Sequence, residues 1–141
     1  MKPLVVFVCE HGAAKSIVAA AWLRMLAEEA GLPLDAVACG TDPSPELSPH
    51  AVAGLERDGI AHVPGHPQPI RRDELQRAWR VVRFGQDLSI PAPSTAHVET
   101  WNVPAVSDGY DAARDAIVAK VDQLVAAARA ARERASEADE R

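Results

Sequence analysis

Five consecutive apolar residues, Leu4-Val5-Val6-Phe7-Val8, precede Cys9. Nothing polar alternates with them, so a strand built from them has to be covered on both faces. A strand of that kind belongs to a parallel sheet, whose crossover helices lie on its two sides. The chain supplies helical segments at the right intervals. Ala13 to Ala30 carries Ile17, Ala21, Leu23, Met25 and Leu26, apolar on most sides, and Gly31 and Pro33 stop it. A second short strand is expected over Leu34 to Cys39, followed by the loop Gly40-Thr41-Asp42-Pro43-Ser44-Pro45. The next helix has a start signal in Ser48 as N-cap, Pro49 at N1 and the staple pair Leu47 and Val52, and Gly59 ends it.

His62 to Pro69 is rich in Pro and Gly and reads as loop. Asp73 to Ala78 reads as a short helix, Arg80 to Phe84 as a third strand and Gly85 to Thr95 as loop. Ala96 to Trp101 is a more polar fourth strand, suited to an edge. A last helix is expected with Ser107 as cap and Asp108 in its first turn, burying Tyr110, Ala113, Ile117, Val121, Leu124 and Ala128. Beyond Ala128 the apolar stripe ends, and a fraying, solvated helix end is expected. The alternation predicts an α/β fold, a four-stranded parallel sheet with helices on both faces. At 141 residues it fits one domain over 1–128, with 129–141 as a charged helix end or tail.

Composition narrows the function. The net charge is −5, which argues against a nucleic-acid surface, and no apolar run approaches the ~20 residues of a membrane span. Met1-Lys2-Pro3-Leu4 leads straight into the first strand, so no signal peptide is expected and the expected location is the cytoplasm. Two cysteines, Cys9 and Cys39, are too few for a disulfide scaffold or a typical structural zinc site. His11, His50, His62, His66 and His97 fall at no zinc-ligand spacing, and no metal or cofactor is expected.

The segment with chemical content is Cys9-Glu10-His11-Gly12-Ala13-Ala14-Lys15-Ser16, between the buried strand and the buried helix. A loop wrapping a helix N-terminus turns backbone N–H groups into one concavity, where the helix dipole favours an anion. A thiolate is stabilised in such a place and becomes a nucleophile. Ser16 is a donor to that thiolate, and Lys15 is a charge for a bound oxyanion. Of the 15 basic residues only Lys2, Lys15 and Lys120 are lysine, which singles out Lys15 in an Arg-rich chain. The plainer alternatives are an inert buried thiol at Cys9 and a solvated charge at Lys15. Trp22 is expected in the core and Trp101 beside a cleft. Arg71 and Arg72 are surface charge or an attractor of acidic substrate.

The loop resembles the phosphate loop, Cys-x5-Arg-Ser, of the low-molecular-weight protein tyrosine phosphatases and the related thioredoxin-coupled arsenate reductases. Ala38-Cys39-Gly40-Thr41 resembles that family's Ser-Ala-Gly-Thr turn, and Ser48-Pro49-His50-Ala51-Val52 through Asp58-Gly59-Ile60 resembles its second helix. Trp101-Asn102-Val103-Pro104 and Ala113-Arg114-Asp115-Ala116-Ile117 resemble its Trp-x-x-Asp-Pro and Arg-Asp-x-Ile segments. The resemblance runs from about Leu4 to Ala128. It implies Cys9 as nucleophile, with Lys15 and Ser16 in catalytic support, and anion binding by Glu10, His11, Gly12, Ala13, Ala14 and Lys15.

The departures fall on the chemistry. Lys15 replaces the family's bidentate arginine and offers only a point charge. Val103 replaces the aspartate that serves as general acid. Asp108, the next carboxylate, is expected in a helix start. His11-Gly12 stands where the family usually has Gly-Asn. The arsenate reductases need a resolving cysteine after the third strand; Gly85 to Thr95 has none, which leaves Cys39 as the only possible redox partner. Cys9-x-x-Gly12-x-x-x-Ser16 also resembles the phosphocysteine loop of the IIB subunits of sugar phosphotransferase systems. The expected activity is a weak phosphatase-like one on a phosphate-like anion or phosphorylated substrate. The alternatives are a degenerate oxyanion- or phosphoprotein-binding module, a thiol-based reductase and a phosphocysteine carrier.

Overall fold

The computed structural model describes residues 2–60, 63–91 and 97–139. His62, residues 92–95 of the expected loop and Ala96 of the expected fourth strand lie outside the described residues.

The run at the head of the chain is β1 (Leu4–Cys9), and all six of its residues are buried. Around it stand α1 (Lys15–Glu29), β2 (Asp35–Gly40), α2 (Pro49–Arg57), α3 (Arg72–Arg77), β3 (Ala78–Arg83), β4 (His97–Thr100) and α4 (Tyr110–Asp139). The sheet is parallel throughout, in the order β2-β1-β3-β4. Chain order therefore reverses between β1 and β3, and a crevice opens outside their carboxyl ends. Cys9 ends β1, and Phe84 follows β3.

Alternation along β1 sorts its side chains. Val5, Phe7 and Cys9 enter a large core with α1, α2 and α4, whereas Leu4, Val6 and Val8 face a smaller one with Leu75 of α3. Helix α1 is sealed between the sheet and α4, which explains its nearly all-apolar surface: Ile17, Val18, Ala19, Ala20, Ala21, Leu23 and Ala27 are buried. Beneath the carboxyl end of β1, Phe7 and Phe84 pack with Trp101, whose ring meets both edge-on. Trp101 is only 4% exposed, and it borders a recess as expected while packing mostly into the core. Trp22, expected in the core, is half-buried against it.

Helix α2 starts as its signals predict: the Ser48 hydroxyl accepts the Ala51 N–H at 3.3 Å, with Pro49 in the first turn. Its far end is tied to α4. Asp58 accepts the Tyr110 hydroxyl at 2.7 Å and the Arg114 guanidinium at 3.0 and 3.2 Å. The Tyr110 ring lies directly on Gly54, where a Cβ would stand 2.3 Å from the ring.

One expectation about the last helix needs correction. Ser107 and Asp108 belong to a separate 3-10 turn (Val106–Asp108), and α4 starts after Gly109, whose carbonyl accepts the Ala113 N–H. The helix runs on to Asp139, and most of its residues beyond Ala128 are exposed. Ala, Arg and Glu favour helix there, and tertiary contact adds to propensity: Arg132 donates to the Gly31 carbonyl at 3.1 Å, and Ala128, Ala131 and Ala135 line a small hollow with Pro33 and Trp79.

Burial pushes the Tyr110 hydroxyl from 10.0 to about 12, helped by its bond to Asp58, and pushes the Cys39 thiol from 9.0 to about 12. Each group keeps its proton in the folded chain at a pH where the unfolded chain has released it. Their contributions are complete below the unfolded values and are lost as pH rises toward the folded ones. Denaturant midpoints should therefore fall between pH 9 and 12. Tyr110→Phe should flatten the part of the curve above pH 10 and Cys39→Ala the part beginning near pH 9. Equilibrium unfolding at stepped pH measures both.

Candidate functional site

Between β1 and α1 the backbone turns through Glu10 to Ala14. Gly12 makes this possible with φ +63, a conformation that costs other residues about 1–2 kcal/mol. Gly12 also touches Gly40. A Cβ on Gly40 would meet Gly12 N at 2.5 Å, and one on Gly12 would meet Gly40 N at 2.8 Å. Two glycines facing each other let the segment after β2 run against the loop after β1.

The contact between these segments is a ladder. The amides of Thr41, Asp42, Ser44 and Ser48 donate to the carbonyls of Cys9, Glu10, His11 and Ala13 at 3.2, 2.7, 3.1 and 2.9 Å. The loop carbonyls are thereby drawn to one side. Among the described residues, the amides of Glu10 through Ala14 donate to no backbone carbonyl. Ala14, the N-cap of α1, has no capping side chain, and the first turn holds no acidic residue. The helix start is left with bare N–H groups, and an anion is the ligand that satisfies them.

Cys9 stands at the bottom of this loop, 8% exposed, with its Sγ 3.0 Å from the hydroxyl oxygen of fully buried Ser16. A cleft of about 950 Å³ opens over it. Glu10, His11, Ala13, Ala14 and Lys15 line the cleft with Cys9. Gly12 acts from behind, through its contact with Gly40, and Ser16 from beneath. Lys15 also borders a smaller recess with Trp101, Val103 and Pro104. The position beside the loop where the family resemblance implies an acid thus carries an apolar isopropyl group. Asp108 lines neither space.

His11 is held by the ladder: its Nδ1 lies 3.1 Å from the Asp42 carbonyl oxygen, and its Nε2 is 3.9 Å from the Glu10 carboxylate. One part of the cleft lining, Ser44 to Pro49 with exposed Glu46, carries no clear signal of its place there, whereas residues 105–107, which line it with Phe84, follow the fourth strand at the carboxyl edge of the sheet. Ser48 and Leu47 are recognisable as helix-start residues, but Glu46 has no pattern that marks it.

Cys39 does not share the site. It pairs with Val8 in the register and lies with Leu4, Val6 and Val8 in the smaller core, whereas Cys9 lies with Val5 and Phe7 in the larger. Both thiols are free, and Cys39 directs its Sγ to the Phe7 carbonyl. The two side chains leave opposite faces of the sheet, so a Cys9–Cys39 bond requires the strands to be rebuilt. Among the described residues no three His, Cys, Asp or Glu converge as a metal site, and no helix is long and apolar enough to cross a membrane.

The glycine contact is directly testable. Gly40→Ala should cost about 1–3 kcal/mol in a denaturant melt, the usual range for a forced overpacking. It should also abolish any rise of melting temperature with phosphate, because the two loops would be pushed apart.

Known proteins share this architecture. A thioredoxin-dependent arsenate reductase from Corynebacterium glutamicum superposes with a TM-score of 0.76 at 21% identity, covering 92% of this chain but only 63% of that one. An arsenate reductase in the phosphate-binding state gives 0.75 at 22%, covering 89% and 98%. A low molecular weight protein tyrosine phosphatase from Bacillus subtilis gives 0.68 at 22%, covering 86% and 93%. At these identities the likeness is one of fold. No curated protein sequence matches the chain. The family model for low molecular weight phosphotyrosine protein phosphatases matches residues 4–115, from the buried strand to the early turns of α4, and the chain therefore belongs to that family.

Proposed function

We propose that the Cys9–Ser16 loop binds phosphate or a related oxyanion, and that Cys9 is the nucleophile of a slow phosphomonoester hydrolysis. One observation carries this: the Cys9 thiol lies 3.0 Å from the buried Ser16 hydroxyl, under a loop whose carbonyls are turned away and whose amides are free. In the first step Sγ attacks phosphorus, an S–P bond forms and the ester P–O bond breaks. Ser16 donates its hydroxyl hydrogen to the thiolate. The loop amides, the start of α1 and the Lys15 ammonium hold the three equatorial oxygens. Water then attacks the phosphocysteine, releasing inorganic phosphate and the Cys9 thiolate. A structural relative in a phosphate-binding state supports the ligand class.

Lys15 and Val103 set the expected rate. An ammonium does not reproduce a guanidinium fork, and an isopropyl group gives no proton to the leaving oxygen. The same two residues favour a second reading, in which the loop recognises a phosphorylated or oxyanion group without turning it over. A Cys9–Cys39 reductase finds no support in the placement of Cys39. Two free thiols suit the reducing cytoplasm, where we expect the protein to work.

Two measurements separate the readings. With p-nitrophenyl phosphate, the wild type should turn over above the Cys9→Ser background. On phenyl phosphate, whose leaving group needs a proton, Lys15→Arg combined with Val103→Asp should raise kcat/KM by about 10²–10⁴-fold, the usual worth of a general acid. If neither exceeds background, hydrolysis is abandoned. Inorganic phosphate at millimolar concentration should raise the melting temperature under both readings, and no rise would remove the anion site itself.

A further inference from the structure

Hydrolysis at Cys9 leaves one proton unaccounted for. As the ester bond breaks, the departing oxygen gains charge, and a poor leaving group needs a proton at that moment. Val103 has none to give, and Asp108 lies outside the cleft.

In-line displacement places the departing oxygen opposite Sγ. Cys9 and Ser16 are buried at the base of the cleft, so that oxygen points toward the mouth. Three ionisable side chains line the cleft and stand exposed there: Glu10, His11 and Glu46. They differ in how they are held. Among the described residues Glu46 makes no hydrogen bond or ion pair, and Glu10 lies beside His11 at 3.9 Å. His11 is fastened. A carbonyl oxygen can only accept, so the 3.1 Å contact with Asp42 puts a hydrogen on Nδ1 and leaves Nε2 as the nitrogen that gains and loses a proton. The 3.9 Å to Glu10 is too long for a hydrogen bond, and Nε2 stays available. The same Asp42 donates its amide to the Glu10 carbonyl, so the imidazole is anchored to the ladder that holds the loop of Cys9.

We propose that His11 is the general acid and base of the reaction, a role that rests on the Cys9 chemistry proposed above. Nε2–H gives its proton to the leaving oxygen as the P–O bond breaks. The neutral Nε2 then takes a proton from the water that attacks the phosphocysteine, which restores the imidazolium and releases inorganic phosphate. Imidazole suits both halves because Nε2 donates in the imidazolium and accepts in the neutral ring, whereas an ionised carboxylate only accepts. The charged groups around His11 are Glu10 on its own loop, Asp42 and Glu46 on the facing segment, and Lys15 at the start of α1.

The experiment compares wild type, His11→Asn, His11→Gln and Glu46→Gln on aryl phosphates from p-nitrophenyl to phenyl phosphate. Both His11 variants should lose about 10²-fold or more in kcat/KM on phenyl phosphate, the lower end of general-acid effects, with a far smaller loss in kcat/KM on p-nitrophenyl phosphate, because kcat/KM reports the step in which the ester bond breaks. The same variants should still show a rise of melting temperature with inorganic phosphate, even if a smaller one than the wild type, which shows that the loop is intact. Glu46→Gln should follow the wild type across the series. The proposal is overturned if the His11 variants keep the wild-type leaving-group dependence, or if Glu46→Gln acquires the steep dependence instead. A wild type that does not exceed Cys9→Ser even on p-nitrophenyl phosphate overturns both this proposal and the one beneath it, and is recognised by its independence of His11.

Discussion

Backbone pairing between two loops is the constraint on which the site depends. Four amides of the segment after β2 take the carbonyls of the loop after β1. This pairing decides which way each peptide faces, and so decides that the concavity is lined with donors. Side chains contribute little to that polarity. The proposed anion site is therefore a property of the main chain, made accessible by two glycines in contact. Elements further away serve the same arrangement. The parallel sheet delivers both segments to one edge, and the packed rings of Phe7, Phe84 and Trp101 support the floor.

The electrostatics of the cleft are unusual for an anion site. One ammonium, Lys15, faces two carboxylates, Glu10 and Glu46, on the same lining. Attraction therefore comes from aligned amides and the start of α1 more than from formal charge, and it acts over a short range. Helix α2 brings in one wall at its start. Its other end is fixed to α4 through Asp58, Tyr110 and Arg114, so the wall is anchored at a distance from the reacting atoms.

Much of this was legible in local sequence. The apolar run of β1, the all-apolar α1 and the Ser48-Pro49 helix start are short-range signals, and each element forms where they indicate. The meeting of Cys9 and Ser16 was legible from their places at the end of a buried strand and the start of a buried helix. What was not legible depends on long-range pairing. Which face Cys39 occupies is a matter of register, and a shift of one residue would reverse it. Glu46 reaches the cleft because its segment is bonded to residues 9–13, and backbone ladders leave no side-chain signature beyond Gly12 and Gly40. The docking of α4 past Ala128 depends on partners far away in the chain, Gly31 and Trp79 among them, although its helical composition is local.

The sheet also acts as a partition. With Cys9 on one face and Cys39 on the other, a sulfenic acid formed at Cys9 has no internal thiol with which to condense. Oxidative damage at Cys9 cannot be shunted into a protective intramolecular disulfide while the fold is intact. Recovery has to come through the cleft mouth, from a small thiol or a reductant protein able to reach a residue that is 8% exposed. The fold that places Cys9 at the end of β1 therefore leaves the redox maintenance of its thiol to external reductants.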